Sequence, residues 1–247
     1  MNIAGSVQKI RNYQIPCLIS RTFYFLALFI IVPSVVSDDN LSEESAYYSG
    51  PISKEQNRQF FESVKNKAIK RLVITSGGGE VRAGIALGLW VFEQKLDIEI
   101  PEFCLSSCAN YVFTAAQRKF IDKGAIVAWH GNYHHLKKTG LWRDDITIRM
   151  KRDGVDARTA GEQVLSQVNE LVDLEHDFFH QINVDQYLCW IGKMPPYKAP
   201  NYYFLSRQDM ARFGVSNVHT PQNYEHTDIS GFDFHVIYIK LHNSGHH

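Results

Sequence analysis

The sequence predicts an α/β domain built on a mostly parallel sheet, and three observations lead there. Short apolar runs alternate with stretches whose apolar residues recur at helical spacing. The runs end in turns rich in glycine or serine, as strand-to-helix connections do. The chain of 247 residues is 45% apolar and 21% charged, which suits one globular domain with a sizeable core. Its 26 basic and 26 acidic side chains cancel, so there is no electrostatic footprint for nucleic acid. Four cysteines are too few for a disulfide scaffold.

Residues 1–37 contain Lys9, Arg11 and Arg21 but no acidic side chain, and the apolar run 23–36 ends in Ser37-Asp38-Asp39. This is the layout of a secretory signal, with an uncleaved membrane anchor formed by residues 23–36 as the alternative. Either places the domain outside the cytoplasm, in a periplasmic or secreted setting. Removing the segment leaves 23 basic against 26 acidic groups, a charge of −3. Residues 38–46 are polar and acidic and read as a linker, so the domain is expected over 47–220.

Ser53-x-x-Gln56 has the form of a capping box before a helix that aligns Phe60, Phe61, Val64 and Ala68. Leu72-Val73-Ile74 reads as a buried strand running into Gly77-Gly78-Gly79, and Val81, Ile85, Leu89 and Phe92 form the next helical stripe. Residues 98–103 are strand-like, 107–117 helix-like and 125–129 strand-like again. Residues 156–181 read as a long helix. Ser206-x-x-Asp209 opens a short helix stopped by Gly214. Residues 221–247 form a C-terminal extension with one strand expected at 234–241.

Chemistry collects at three strand ends. Ser76-Gly77-Gly78-Gly79 lets backbone N–H groups approach a ligand, though the spacings of a phosphate loop and of a dinucleotide fingerprint are absent. Cys104-Leu105-Ser106-Ser107-Cys108-Ala109-Asn110 puts serine at a helix start, either as a cap or as a nucleophile beside unpaired N–H groups. Trp129-His130-Gly131-Asn132 sets a histidine at the end of a strand, where an imidazole can take a proton. His134 and His135 complete no recognisable zinc spacing, so no metal is expected.

The order of these places resembles the Clp-protease/crotonase superfamily, and most closely the secreted or periplasmic Clp-like serine peptidases. Ile74-Thr75-Ser76-Gly77-Gly78-Gly79 stands at the family's glycine turn, and Ser107-Cys108-Ala109-Asn110-Tyr111 at its nucleophile segment. Ala128-Trp129-His130 stands at the strand carrying the general base. Gly50-Pro51-Ile52-Ser53 and Phe204-Leu205-Ser206-Arg207-Gln208-Asp209 continue the likeness, which spans roughly residues 50–218.

The resemblance implies a repeated β-β-α spiral in a single domain. It implies Ser107 as nucleophile, His130 as general base and the N–H groups of Gly79 and Cys108 as an oxyanion hole. At the position of the family's aspartate stands Tyr202, beside Asn201; Asn201 is the expected orienting residue and Asp185 a more distant substitute. Cys104 and Cys108 flank the serine. A bridge between them, one from either to Cys189, and three free thiols all remain open, because spacing does not fix pairing.

The resemblance further implies an exported serine hydrolase acting on peptide bonds, with no cofactor, a peptide or protein substrate and a homo-oligomeric assembly. The alternative is a Clp-like domain that has lost catalysis and binds peptides or proteins, which Tyr202 favours. An acyl-CoA enzyme of the crotonase branch is disfavoured, because that branch works through carboxylates in its pocket.

Overall fold

The computed structural model describes residues 44–242. The expected signal or anchor, residues 1–37, and most of the acidic linker lie outside the described residues. Among the described residues no helix is long and apolar enough to cross a membrane.

The domain is α/β, and every pairing between its named strands is parallel. Strand β1 (Glu44–Ser49) begins inside the stretch expected to be linker, because Ala46 and Tyr48 alternate into the core while Tyr47 points to solvent. It pairs with β2 (Ile69–Thr75), the strand expected around Leu72-Val73-Ile74. Between them lies α1 (Lys54–Val64), whose cap is the expected one: the Ser53 hydroxyl accepts the Gln56 N–H at 3.1 Å. Helix α2 (Val81–Glu93) follows the glycine turn and buries Ala83, Ile85, Leu87 and Val91.

The stretch expected as one strand over 98–103 is two. Strand β3 (Asp97–Ile100) ends at Pro101, which has no N–H to continue a ladder, and β4 (Phe103–Leu105) enters a second sheet. The chain repeats this alternation. Strand β5 (Lys119–Ile121) pairs with β3 in the first sheet, and β6 (Ile126–Ala128) pairs with β4 in the second. Bridges at Ser76–Cys104 and Trp129–Tyr203 tie the glycine turn to β4 and the end of β6 to the following strand pair.

Three helices then succeed one another: α3 (Tyr133–Thr139), α4 (Asp144–Asp153) and α5 (Ala157–Ile182). The first two had no counterpart in the sequence pattern: α4 fully buries none of its residues and packs on Val164 and Val168 of α5 through the half-buried Ile146. Helix α5 starts where expected, with the Asp156 carboxylate accepting the N–H groups of Arg158 and Thr159. Strand β7 (Tyr202–Leu205), helix α6 (Arg207–Ala211) and strand β8 (Val218–His219) complete the expected region. Strand β8 closes the first sheet in the order β1-β2-β3-β5-β8.

The stretch after residue 220 packs into the same core. Strand β9 (Val236–Ile239) pairs with β7, and the buried Tyr224 hydroxyl accepts the Val127 N–H at 3.1 Å. The fold thus gathers the end of β2, the end of β4 and the end of β6 at one place.

Candidate active site

The strand-to-helix turn after β4 is an elbow. Ser106 adopts a left-handed backbone with φ +54°, a conformation that costs a non-glycine residue on the order of 1–3 kcal/mol. Several bonds hold it there. Its N–H donates to Ala128 O at 3.2 Å, its carbonyl accepts the Asn110 N–H at 2.8 Å, and the preceding Leu105 N–H donates to Ser76 O at 2.9 Å. The distorted helix Cys108–Phe113 begins immediately afterwards.

A disulfide joins Cys104 to Cys108 across this elbow, with Cα atoms 5.3 Å apart, while Cys189 is a buried free thiol. Of the pairings left open by the sequence, this is the one the structure contains. Closing a five-residue ring restricts the unfolded chain by about 2 kcal/mol. Replacing both Cys104 and Cys108 with alanine is therefore expected to lower the unfolding free energy by about that amount in urea titrations.

The elbow turns Ser106, not Ser107, toward the histidine. Ser106 Oγ lies 2.7 Å from His130 Nε2. The expected nucleophile Ser107 is buried, and its hydroxyl donates to Gly79 O at 2.8 Å. The physical reason is the single-residue offset. Ser106 is the last residue outside the helix and projects from the turn, whereas Ser107 sits in the first helical turn and faces the glycine loop.

By the same offset, the residue that follows the serine facing His130 is Ser107, not Cys108. Among the described residues, neither the N–H of Gly79 nor that of Ser107 donates a hydrogen bond. Gly79 keeps its N–H free because its neighbours make the bridge to Ile52: the Ile52 N–H donates to Gly78 O and the Glu80 N–H to Ile52 O, both at 2.9 Å.

His130 stands at the rim of the cleft. Its ring lies 4.8 Å from the Tyr202 ring, so the position where the resemblance expects an aspartate is filled by an aromatic packed on the imidazole. Asn201 does not take over the orienting role. It is exposed, and its carbonyl accepts from Lys193 Nζ at 3.2 Å. Asp185 is occupied in capping a short helix, accepting the Tyr187 N–H at 2.9 Å. Among the described residues, Ser106 is the one hydrogen-bond partner of the His130 ring.

Although one edge of His130 is open to solvent, the protein packed around the ring holds its pKa below the ordinary 6.5, and the positive charges of Lys193 and His135 act in the same direction. A neutral imidazole accepting at Nε2 carries its proton on Nδ1.

Asn110, which the sequence reading left without a role, links the two halves of the site. It is buried, and its Nδ2 donates to Gly131 O at 3.0 Å, tying the serine helix to the residue after His130. The surrounding cleft has a volume of about 320 Å³ and is lined by Gly79, Val81, Ser106, Asn110, Tyr111 and His130, among others. A larger cavity of about 560 Å³ between α1 and α2, lined by Phe61, Leu89 and Trp90, contains no serine, cysteine or histidine. His134 and His135 lie flat against Trp190, at 5.9 and 5.8 Å between ring centres. Among the described residues no group of three His, Cys, Asp or Glu side chains is placed to hold a metal ion. The chain matches no protein-family model and no curated protein.

Proposed function

We propose that the chain is an exported serine hydrolase with a Clp/crotonase-like fold, working through a Ser106–His130 dyad on peptide bonds. The observation that carries this reading is the 2.7 Å contact between Ser106 Oγ and His130 Nε2 at the mouth of a cleft, with the serine on a left-handed elbow. The alternation of β3, β4, β5 and β6 between two parallel sheets is what a β-β-α spiral requires. The Cys104–Cys108 bridge fits an oxidising compartment, and hence export. By the same resemblance the proposal includes a peptide or protein substrate and a homo-oligomeric assembly.

In this reading His130 Nε2 takes the Ser106 proton as Oγ bonds to the substrate carbonyl carbon. The charge that develops on the carbonyl oxygen is met by the N–H groups of Gly79 and Ser107, a donor of this kind being worth about 3 kcal/mol. The imidazolium returns its proton to the leaving amine, and water activated by the same histidine then releases the acyl group from Ser106. The 320 Å³ cleft has room for one or two side chains beside the reacting bond.

The test is covalent labelling by a fluorophosphonate, with His130→Ala expected to abolish it. The pH dependence gives a second check. The base must be neutral, and crowding together with nearby positive charge lowers its pKa, so the labelling rate is expected to hold from neutral pH to below 6.5 before falling. A midpoint above 6.5 would mean that a carboxylate supports the imidazole. A binding domain without catalysis is the second reading, favoured by Tyr202 in the aspartate's place; it predicts peptide binding with no labelling of the wild type.

A further inference from the structure

We infer that Glu175, in the C-terminal half of α5, is a positioning residue that holds Ser106 and His130 in register by bonding to both of the elements that carry them, an inference resting on the dyad reading above. Glu175 is fully buried. Its Oε1 accepts the Tyr111 hydroxyl at 2.6 Å and the Tyr133 N–H at 3.1 Å, and its Oε2 accepts the His134 N–H at 3.0 Å. Tyr111 lies five residues after Ser106 on the helix that the elbow opens, and Tyr133 lies three residues after His130. One carboxylate therefore bonds to both sides of the catalytic contact.

The inference follows from what His130 lacks. With no acceptor for Nδ1 among the described residues, the ring's one hydrogen bond is the contact with Ser106 itself, so the placing of that contact is inherited from the loop 130–134. Two groups anchor that loop to the serine helix. One is the Asn110 bond to Gly131 O, and the other is Glu175, which captures the first two N–H groups of α3 while the Asn132 side chain captures the third, from His135. These are N–H groups that a helix start leaves unpaired, and a negative charge is favourable there.

A buried carboxylate is costly unless fully hydrogen-bonded, and an apolar residue would fill the same space without that cost. Glu175 has three donors, and they come from the two halves of the dyad. Such a tie matters catalytically because misplacing reacting groups by about 1 Å costs on the order of 100-fold in rate.

The experiment measures the maximal rate of fluorophosphonate labelling, kinact, and the half-saturating concentration, KI, separately on the full chain. It compares the wild type with Glu175→Gln and Tyr111→Phe, with near-UV circular dichroism to establish that each variant is folded. Glutamine keeps the shape but turns an N–H₂ group toward one of the three donors. The expected result for Glu175→Gln is a kinact lower by about 10- to 100-fold with KI unchanged. A folded Glu175→Gln protein with wild-type kinact, or one altered only in KI, overturns the inference.

If Glu175→Gln does not fold, Tyr111→Phe decides, since it removes one donor while keeping the ring packed on Phe178 and Phe179. A reduced kinact at unchanged KI supports the tie, and a wild-type kinact overturns it. A wild type that is never labelled, or a Ser106→Ala variant labelled as fast as wild type, sinks the dyad itself, a result separable from failure of the Glu175 tie.

Discussion

Replacing Ser106 with alanine is expected to abolish covalent labelling by a fluorophosphonate, whereas Ser107→Ala is expected to reduce its rate by less than about tenfold. The two serines are neighbours in sequence but not in chemistry. Ser106 Oγ is 2.7 Å from His130 Nε2, the one base hydrogen-bonded to it among the described residues. Ser107 Oγ spends its proton on Gly79 O, and losing that bond costs about 1 kcal/mol while leaving the Ser107 N–H in place. A mass shift mapped to the peptide containing both serines, repeated on each variant, distinguishes them. Retained labelling in Ser106→Ala together with its loss in Ser107→Ala would reverse the assignment.

A third variant separates chemistry from folding. Ser106→Gly removes the hydroxyl and also relieves the left-handed strain at φ +54°, so it is expected to raise stability by about 1 kcal/mol while abolishing labelling. An inactive protein that unfolds at higher urea concentration is the signature of strain retained at a reacting residue.

That elbow also shows where the sequence stops being readable. Features carried by periodicity and local caps were legible: Ser53 ahead of α1, the existence of helix α2, and the start of α5 at Asp156 follow from residue type and spacing. The buried face of α2, however, is Ala83, Leu87 and Val91 with Ile85, not the expected stripe of Val81, Ile85, Leu89 and Phe92, of which Phe92 is exposed. Helices α3 and α4 were not legible, because the second fully buries none of its residues and leans on α5 mainly through the half-buried Ile146, and the first is short and held by Glu175 from a distant helix. The division of residues 98–103 into two strands was signalled by Pro101, which a continuous reading passed over.

The places of His130 and the glycine turn in the fold were legible because each closes a strand. Which of Ser106 and Ser107 faces His130 depends on the sign of one backbone angle, which neither composition nor spacing encodes. The available clue was positional: in a strand-to-helix elbow the exposed side chain belongs to the last residue before the helix. Glu175 gave no local signal, since one glutamate in a helix of 26 residues reads as surface until tertiary contacts bury it.

The glycine turn is where the largest loss of stability is expected, and its three glycines are not equivalent. At Gly77 a Cβ would meet nothing within 4 Å, and the backbone is not left-handed, so Gly77→Ala is expected to change stability by less than about 1 kcal/mol and to reduce the freedom of the unfolded chain. At Gly78, with φ +88°, a Cβ would press on Leu105 O at 2.7 Å and on Ser106 Cβ and Ser107 N at 2.8 Å. At Gly79 it would collide with the carbonyl of Ile52, a backbone atom held by its own hydrogen bond to the Glu80 N–H.

Backbone cannot rotate away as a side-chain tip can, so Gly78→Ala and Gly79→Ala are each expected to cost about 3–5 kcal/mol. Urea unfolding of the three variants checks the order. The folded fraction of the latter two should also be labelled more slowly than Gly77→Ala, because both changes disturb the N–H groups proposed to face the developing oxyanion. Gly78→Ala pushes directly on the Ser107 nitrogen and Gly79→Ala displaces its own N–H. Equal stability across the triplet would mean that the turn does not pack backbone against backbone, and the elbow would then lack the support that keeps Ser106 left-handed.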